Sequence, residues 1–252
     1  MTSSSATSFK LISLNIESDK HLDAVLPFLE REKADIICFQ EILKSNLGLF
    51  AAKLGFQYAF APTAIVDNSE GAADEWGVAI FKKAPLLNLS QEYYSTGARH
   101  PGELRKANTK DQDTLQRVLL SVEVETANGP VRVGTTHFTW TPNGQADDLQ
   151  RRDLIRLFEV LKPYPQILFC GDFNAPRGGE IYSAIAARYR DCLPSGVSST
   201  LDPDFHRVRG LELAVDSIFT SAAIGVTDVR VVSGVSDHRA LIAQVRLPGG
   251  LS

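Results

Sequence analysis

Residues 166–180 read QILFCGDFNAPRGGE. Ile167 to Cys170 form a run of large apolar residues that reads as a strand buried on both faces. The run breaks off in Gly171-Asp172-Phe173-Asn174. One reading is turn chemistry, because Gly, Asp and Asn tolerate left-handed backbone and their side chains close local turns. The other is that a buried strand carries a carboxylate and an amide to a place where chemistry needs them. The rest of the chain decides between the two.

The chain has 252 residues, enough for one or two domains with a substantial core. It is 44% hydrophobic and 22% charged, an ordinary globular balance. The net charge of −4 provides no global basic field, so a polyanionic partner would have to be gripped locally. Cys38, Cys170 and Cys192 are odd in number and widely spaced, which predicts reduced core residues and a reducing compartment. Residues 1–8 form a polar Ser/Thr tail without the features of an export signal, and no apolar run is of membrane-spanning length. The expectation is a cytoplasmic protein with no membrane span and no protein partner implied.

Strands are expected at 9–16, 34–40, 56–61, 76–81, 115–124, 129–138, 214–220, 225–232 and 240–247. Leu22, Val25, Leu26 and Leu29 fall at helical spacing, although Pro27 interrupts the pattern. Further helices are expected at 42–54, 146–161 and 179–187, and surface loops at 62–75 and 95–114. Many strands with few helices, mixing hairpins and crossovers, predict an α+β sandwich of two packed sheets.

These strands repeatedly meet a metal-capable or proton-transferring residue at one end. Asn15 ends LISLN, Glu41 ends IICFQE, Glu75 precedes WGVAIF and His137 closes VRVGTTH. Asp172 and Asn174 end ILFCGDFN, Asp216 lies in AVDSIF, and Asp237 and His238 lie in VSDHRAL. Each alone has a plain structural explanation: a solvated strand terminus, a cap, or a hydrogen-bonded histidine. Together they form a site only if all these ends lie at one edge of the sandwich.

In this order, LISLNI, ICFQE, EWGVAIF, TTHF, FCGDFN, AVDSIF and SDHRAL resemble the successive motifs of the endonuclease/exonuclease/phosphatase superfamily, whose fold is that of pancreatic-type deoxyribonuclease. The resemblance runs from residue 9 to 247. It implies a four-layer α/β/β/α sandwich of two packed mixed sheets, with one catalytic domain over 9–252 behind a disordered tail at 1–8. It also implies a metal-dependent phosphoric ester hydrolase with Mg²⁺, or Mn²⁺, as cofactor.

The implied roles suit the residues. A phosphodiester repels nucleophiles, so its hydrolysis needs positive charge at the phosphoryl oxygens and a base beside water. Glu41 and Asp237 offer hard oxygens to Mg²⁺, with Asn15 completing that set. Asp172 would orient or deprotonate the water, and Asn174 would assist it. His238 with Asp216, and His137 with Glu75, would form two imidazole–carboxylate pairs, each raising a histidine's pKa.

The substrate is less legible. LELAVDSIF lacks the Arg- or Trp-rich approach usual in abasic-site enzymes, and SLN with Arg239 departs from the tyrosyl-DNA phosphodiesterase pattern. A secreted sphingomyelinase would carry an export signal. Arg99, Arg105, Lys106, Arg117 and Arg177 are candidate phosphate grips, which points to DNA or RNA as the phosphodiester substrate. A small-molecule or lipid-headgroup phosphoester is the alternative, and a non-catalytic binding module of the same fold is a third.

Overall fold

Two sheets are built on one repeated arithmetic: side chains alternate faces along every strand. In β1 (Ser8–Asn15), Leu11 faces inward to the other sheet and Ile12 and Leu14 face outward to helices. In β2 (Ile36–Leu43), Ile36 and Cys38 face in while Ile37 and Phe39 face out. The remaining strands are β3 (Gln57–Asp67), β4 (Ala73–Lys82), β5 (Leu87–Ser95), β6 (Arg117–Val124), β7 (Val131–His137), β8 (Ile167–Asp172), β9 (Arg190–Asp191), β10 (Asp216–Thr220), β11 (Gly225–Val232) and β12 (Ala240–Arg246). The computed structural model describes residues 8–83, 85–95, 103–108, 112–126 and 128–247. Tail residues 1–7, and the expected grip Arg99, lie outside the described residues; Ser8 already belongs to β1, where it pairs with Arg246.

The first sheet has the order β11-β12-β1-β2-β4-β3 and the second β5-β6-β7-β8-β10-β9. Each is mixed, with one parallel pair at its centre, β1/β2 and β7/β8, and antiparallel neighbours elsewhere. Helix α1 (Leu22–Glu32) links the first parallel pair and α3 (Asp148–Leu161) the second, the crossover that parallel strands require. With α2 (Leu47–Leu54), α1 covers the outer face of the first sheet; with α4 (Glu180–Ala186), α3 covers that of the second. The inward faces meet in a separate apolar core that includes Leu11, Cys38, Ile80, Leu120, Val133 and Cys170. The result is the expected α/β/β/α sandwich.

Several boundaries differ from the sequence reading, each for a physical reason. Ile42 and Leu43 continue β2, pairing with Gly77 and Trp76, because a β-bulge after Phe39 lets the strand run on past Glu41. The 62–75 stretch is not a loop: β3 and β4 extend through it as a hairpin whose acidic side chains project outward around a turn closed by Asn68. Strand β5 was not expected, because it is an edge strand with most of its residues exposed or half-buried and so shows no clear alternation. Within 95–114, Ser95 ends β5, and Ile65 and Ala107 form backbone bonds that lay residues 105–107 along β3. Two glycines are required by close approach. A Cβ on Gly171, at φ +145°, would lie 1.9 Å from the Thr136 carbonyl oxygen, and one on Gly77 would lie 2.1 Å from that of Ala61.

Candidate active site

Where the inter-sheet core stops being apolar, the same inward alternation continues with polar residues. In β1 the inward series is Leu11, Ser13, Asn15; in β7 it is Val133, Thr135, His137; in β8 it is Leu168, Cys170, Asp172. The two parallel pairs end together, with Asn15 opposite Gln40 and His137 opposite Asp172, and β10 adds Asp216 opposite Asp172. Beneath them, Gln40 donates to Thr135 at 2.8 Å across the sheets. Strict alternation would aim Glu41 outward. The bulge, with Glu41 at φ +60°, turns its carboxylate in as well.

The contacts are close. Asn15 Nδ2 donates to Glu41 Oε1 at 3.0 Å and to Asp172 Oδ2 at 3.2 Å, while its Oδ1 accepts the Glu17 N–H at 3.1 Å. Asn15 therefore braces the two carboxylates, and its own oxygen is already engaged. His137 Nε2 lies 3.5 Å from Asp172 Oδ2 and 3.8 Å from Glu41 Oε1. His238 Nδ1 donates to Asp216 Oδ2 at 2.8 Å, and its Nε2 lies 3.7 Å from Asp172 Oδ2. Asp172 Oδ1 accepts the Asn174 N–H at 2.8 Å, and Asn174 Nδ2 donates to the Phe138 carbonyl at 3.0 Å. Asn174 holds φ +49°, so the opening stretch is a turn as well as a site. Asp237 accepts from the Ser236 hydroxyl at 3.2 Å and stands near enough to act on Glu41 electrostatically.

Burial and charge crowding shift these groups. Burial, with the Asp237 and Asp172 charges adding to it, pushes the Glu41 carboxyl up to about 7. Burial also pushes Asp172 up to about 6, aided by Asp216 and opposed by His238. Asp237 is raised by burial and by Glu17. For His238 burial opposes the charge, yet Asp216, Asp172 and Asp237 together hold the imidazole well above its ordinary range. Burial, reinforced by the cations Arg117 and His238, holds His137 well below its own. His238 is thus the charged imidazole at neutral pH and His137 the neutral one.

The pairing of His137 with Glu75 is corrected. Trp76 shares the inward parity of Val78 and Ile80 and sets its ring edge-on to His137 at 5.3 Å. Glu75 has the opposite parity and binds Lys44 Nζ at 2.7 Å. Arg117 is also corrected: it is 1% exposed, and donates to the His137 carbonyl at 3.2 Å and to Gln112 at 2.7 Å. Its parity in β6 is that of Leu119, on the helix-covered face, so it is a buried cation beneath the site rather than a surface grip. Arg177 donates to the Leu193 and Pro194 carbonyls, both at 2.8 Å, and pairs with Asp191 at 2.7 Å. Arg105 and Lys106 are exposed and pair with Glu103 at 4.0 Å and Asp67 at 2.7 Å.

Sequence reasoning missed Thr200. Its hydroxyl donates to Asp216 Oδ2 at 2.6 Å and accepts the Val215 and Asp216 N–H groups, fixing the carboxylate that holds His238. It sits in irregular backbone with no motif to announce it. Glu17 and His21 were also missed, although two metal-capable residues four apart directly after Asn15 are readable in NIESDKH.

The donor set fits a divalent cation. Glu41, His137 and Asp172 place one ligand atom each within 4.8 Å of one another, whereas His238, though as close to Asp172 and Asp216, is protonated and has no lone pair to give a cation. Burial first, and crowding of like charges after it, lift three carboxylates at once, and a bound cation would offset both.

In this two-sheet sandwich carboxylates and imidazoles converge where the central parallel strands end, the place where sheets with parallel strands bind their ligands. The profile of the Endonuclease/Exonuclease/phosphatase family matches residues 12–238, and the chain belongs to that family, whose members are phosphoric ester hydrolases and generally depend on a divalent metal. Among solved structures, an endonuclease/exonuclease/phosphatase from Bacteroides vulgatus superposes with a TM-score of 0.71 at 17% identity, covering 96% of this chain and 100% of the other. A mannosyl-6-phosphatase from Bacteroides thetaiotaomicron gives 0.67 at 16% identity, covering 94% and 99%. ANGEL2, a 2′,3′-cyclic phosphatase, gives 0.69 at 17% identity, covering 97% and 96%. No curated protein sequence matches the chain at a significant level. Among the described residues no helix is long and apolar enough to cross a membrane.

Proposed function

We propose that this chain hydrolyses a phosphate ester by directed attack of water, with Mg²⁺ or Mn²⁺ held by Glu41 and Asp237. The observation that carries this reading is the convergence of Asn15, Glu41, His137, Asp172, Asp216 and His238 at one end of both sheets. When bound, the ion supplies positive charge to a phosphoryl oxygen. Asn15 fixes Glu41 and Asp172 relative to each other. Asp172, pushed up to about 6, is mostly ionised at neutral pH yet basic enough to take a proton from water. His238, kept cationic and oriented by Asp216, presents its Nε2–H to the developing phosphoryl charge. His137, neutral, donates or accepts a hydrogen bond at the same oxygens without adding charge.

For the substrate we infer a compact phosphate ester in preference to a long polynucleotide. Of the five cations expected to track a nucleic-acid backbone, Arg99 lies outside the described residues; of the other four, Arg117 is buried, Arg177 is committed to two carbonyls and Asp191, and Arg105 and Lys106 are paired with acids. The mannosyl-6-phosphatase among the structural neighbours supports the same preference. Polynucleotide cleavage is the second reading, favoured by the exposure of Arg105 and Lys106, whose surface ion pairs are weak enough to exchange for phosphate. The test is a screen of Mg²⁺-loaded protein against p-nitrophenyl phosphate, bis-p-nitrophenyl phosphate, nucleoside 2′,3′-cyclic phosphates, inositol phosphates, and single- and double-stranded DNA and RNA. Turnover confined to the small esters is expected. Polynucleotide cleavage whose KM rises in an Arg105→Ala/Lys106→Ala variant would install the second reading, and turnover of none would overturn both.

A further inference from the structure

On the far side of Asp237 stand two further ligand-bearing residues, Glu17 and His21, that the proposed reaction does not use. Glu17 Oε2 lies 2.9 Å from His21 Nε2, and with an Asp237 carboxylate oxygen these atoms fall within 4.8 Å of one another. We propose that Glu17, His21 and Asp237 form a second cation site, selective for a first-row transition ion such as Mn²⁺ over Mg²⁺, that shares Asp237 with the first. The proposal rests on the reading of Glu41 and Asp237 as the first site.

The group is held in place by the backbone of the active site itself. Asn15, which braces Glu41 and Asp172 through Nδ2, takes the Glu17 N–H on Oδ1, and the Ser18 N–H donates to the Glu41 carbonyl at 3.0 Å. His21 occupies the N-cap position of α1 but its side chain caps nothing there, leaving the imidazole to Glu17. Its ring plane is set by Phe205, edge-on at 4.9 Å. Phe205 is positioned in turn by Asp202, whose Oδ1 accepts the Phe205 N–H at 3.3 Å and whose own N–H donates to the Asp237 carbonyl at 2.8 Å. Both walls of the group are thus tied to the residues proposed to hold the first ion.

The competing reading is an ordinary ion-pair network, since Glu17 also binds Lys20. Lys20 keeps 59% of its side chain exposed, so releasing it to solvent costs little. A single carboxylate shared between two ions is a recurrent arrangement where two positive charges flank one phosphoryl group. The donor chemistry sets the preference: an imidazole with two carboxylates suits Mn²⁺ or Zn²⁺, whereas the oxygen-only pair of Glu41 and Asp237 suits Mg²⁺.

Titration calorimetry on the chelator-stripped full chain, with MnCl₂ and with MgCl₂, reads the stoichiometry directly, and Mn²⁺ electron paramagnetic resonance reads whether two bound ions couple. The wild type is expected to bind two Mn²⁺ but one Mg²⁺. His21→Ala and Glu17→Gln, each checked for an unchanged thermal midpoint, should bind one of either ion, and Glu41→Gln should lose the Mg²⁺ site while keeping one Mn²⁺. One Mn²⁺ in the wild type, or two retained in both His21→Ala and Glu17→Gln, overturns the second site and leaves the proposed function standing. No Mn²⁺ or Mg²⁺ bound to the wild type overturns both.

Discussion

His238 and Asp216 share a 2.8 Å hydrogen bond in which the carboxylate, itself fixed by Thr200, fastens one imidazole nitrogen and leaves the other aimed toward Asp172. Asp216 thereby does two things: it orients the ring and keeps it cationic. Replacing His238 by Ala should lower kcat about 10²-fold or more. Asp216→Asn should lower it by less, and also move the alkaline limb of the pH–rate profile to lower pH, because an uncharged partner no longer holds the proton on His238. An unchanged alkaline limb in Asp216→Asn would assign that limb to another group.

The acid limb has a different owner. Asp172 must be ionised to accept a proton from water, and its carboxyl is pushed up to about 6, so activity should fall as pH drops through that value. A bound cation would bring the value back down by favouring the ionised form. A profile measured at increasing Mg²⁺ should therefore show the acid limb moving to lower pH, and a limb that ignores Mg²⁺ would separate Asp172 from the cation site.

Metal-free stability should depend on pH in a defined direction. Glu41 and His238 both have folded-state pKa values above their unfolded ones, so the folded chain binds more protons than the unfolded chain in the window above about pH 6.5. Stability is then lost as pH rises through the folded values. The thermal midpoint of chelator-treated protein should fall as pH rises above about 6.5, Mg²⁺ should recover it most at the alkaline end, and Glu41→Gln should flatten the slope. A midpoint that rises over this window contradicts the placement of these charges.

Much of this site was readable because its residues sit where a period-two apolar pattern ends. Asn15, His137, Asp172 and Asp216 each close or open such a run, and local alternation is the signal a sequence carries best. Trp76 and Glu75 show the limit of motif reading without parity. Counting back from Ile80 and Val78 places Trp76, not Glu75, on the inward face. The bulge that turns Glu41 inward and the burial of Arg117 depend on neighbouring strands, which no local window reveals. Thr200 depends on chain folding back from irregular segments onto Asp216.

Arg117 offers a contrast between the expected and observed roles. As a buried cation bonded to the His137 carbonyl and Gln112, its replacement by Met should cost about 1–3 kcal/mol by leaving a buried acceptor unpaired. Denaturant unfolding measures this. The salt dependence of binding to any oligonucleotide should not change, whereas a change in that slope would return Arg117 to the role of a phosphate grip.

Gly171 serves the opening stretch spatially, by letting two strands approach. With φ at +145° and a Cβ position 1.9 Å from the Thr136 carbonyl, Gly171→Ala should cost roughly 3 kcal/mol or more. A variant with wild-type unfolding midpoint would mean that β7 and β8 separate more easily than their pairing implies.

The central claim is that Asp172 activates water on a phosphate ester within a cation-dependent site. The direct measurement is kcat for bis-p-nitrophenyl phosphate by the Mg²⁺-loaded Asp172→Asn variant beside wild type, with folding checked by thermal midpoint. The account predicts a loss of about 10²-fold or more in kcat with the midpoint equal to or above that of wild type, since a crowded buried charge has been removed. Wild-type turnover by a folded Asp172→Asn protein would contradict it and leave Gly171-Asp172-Phe173-Asn174 as a turn alone.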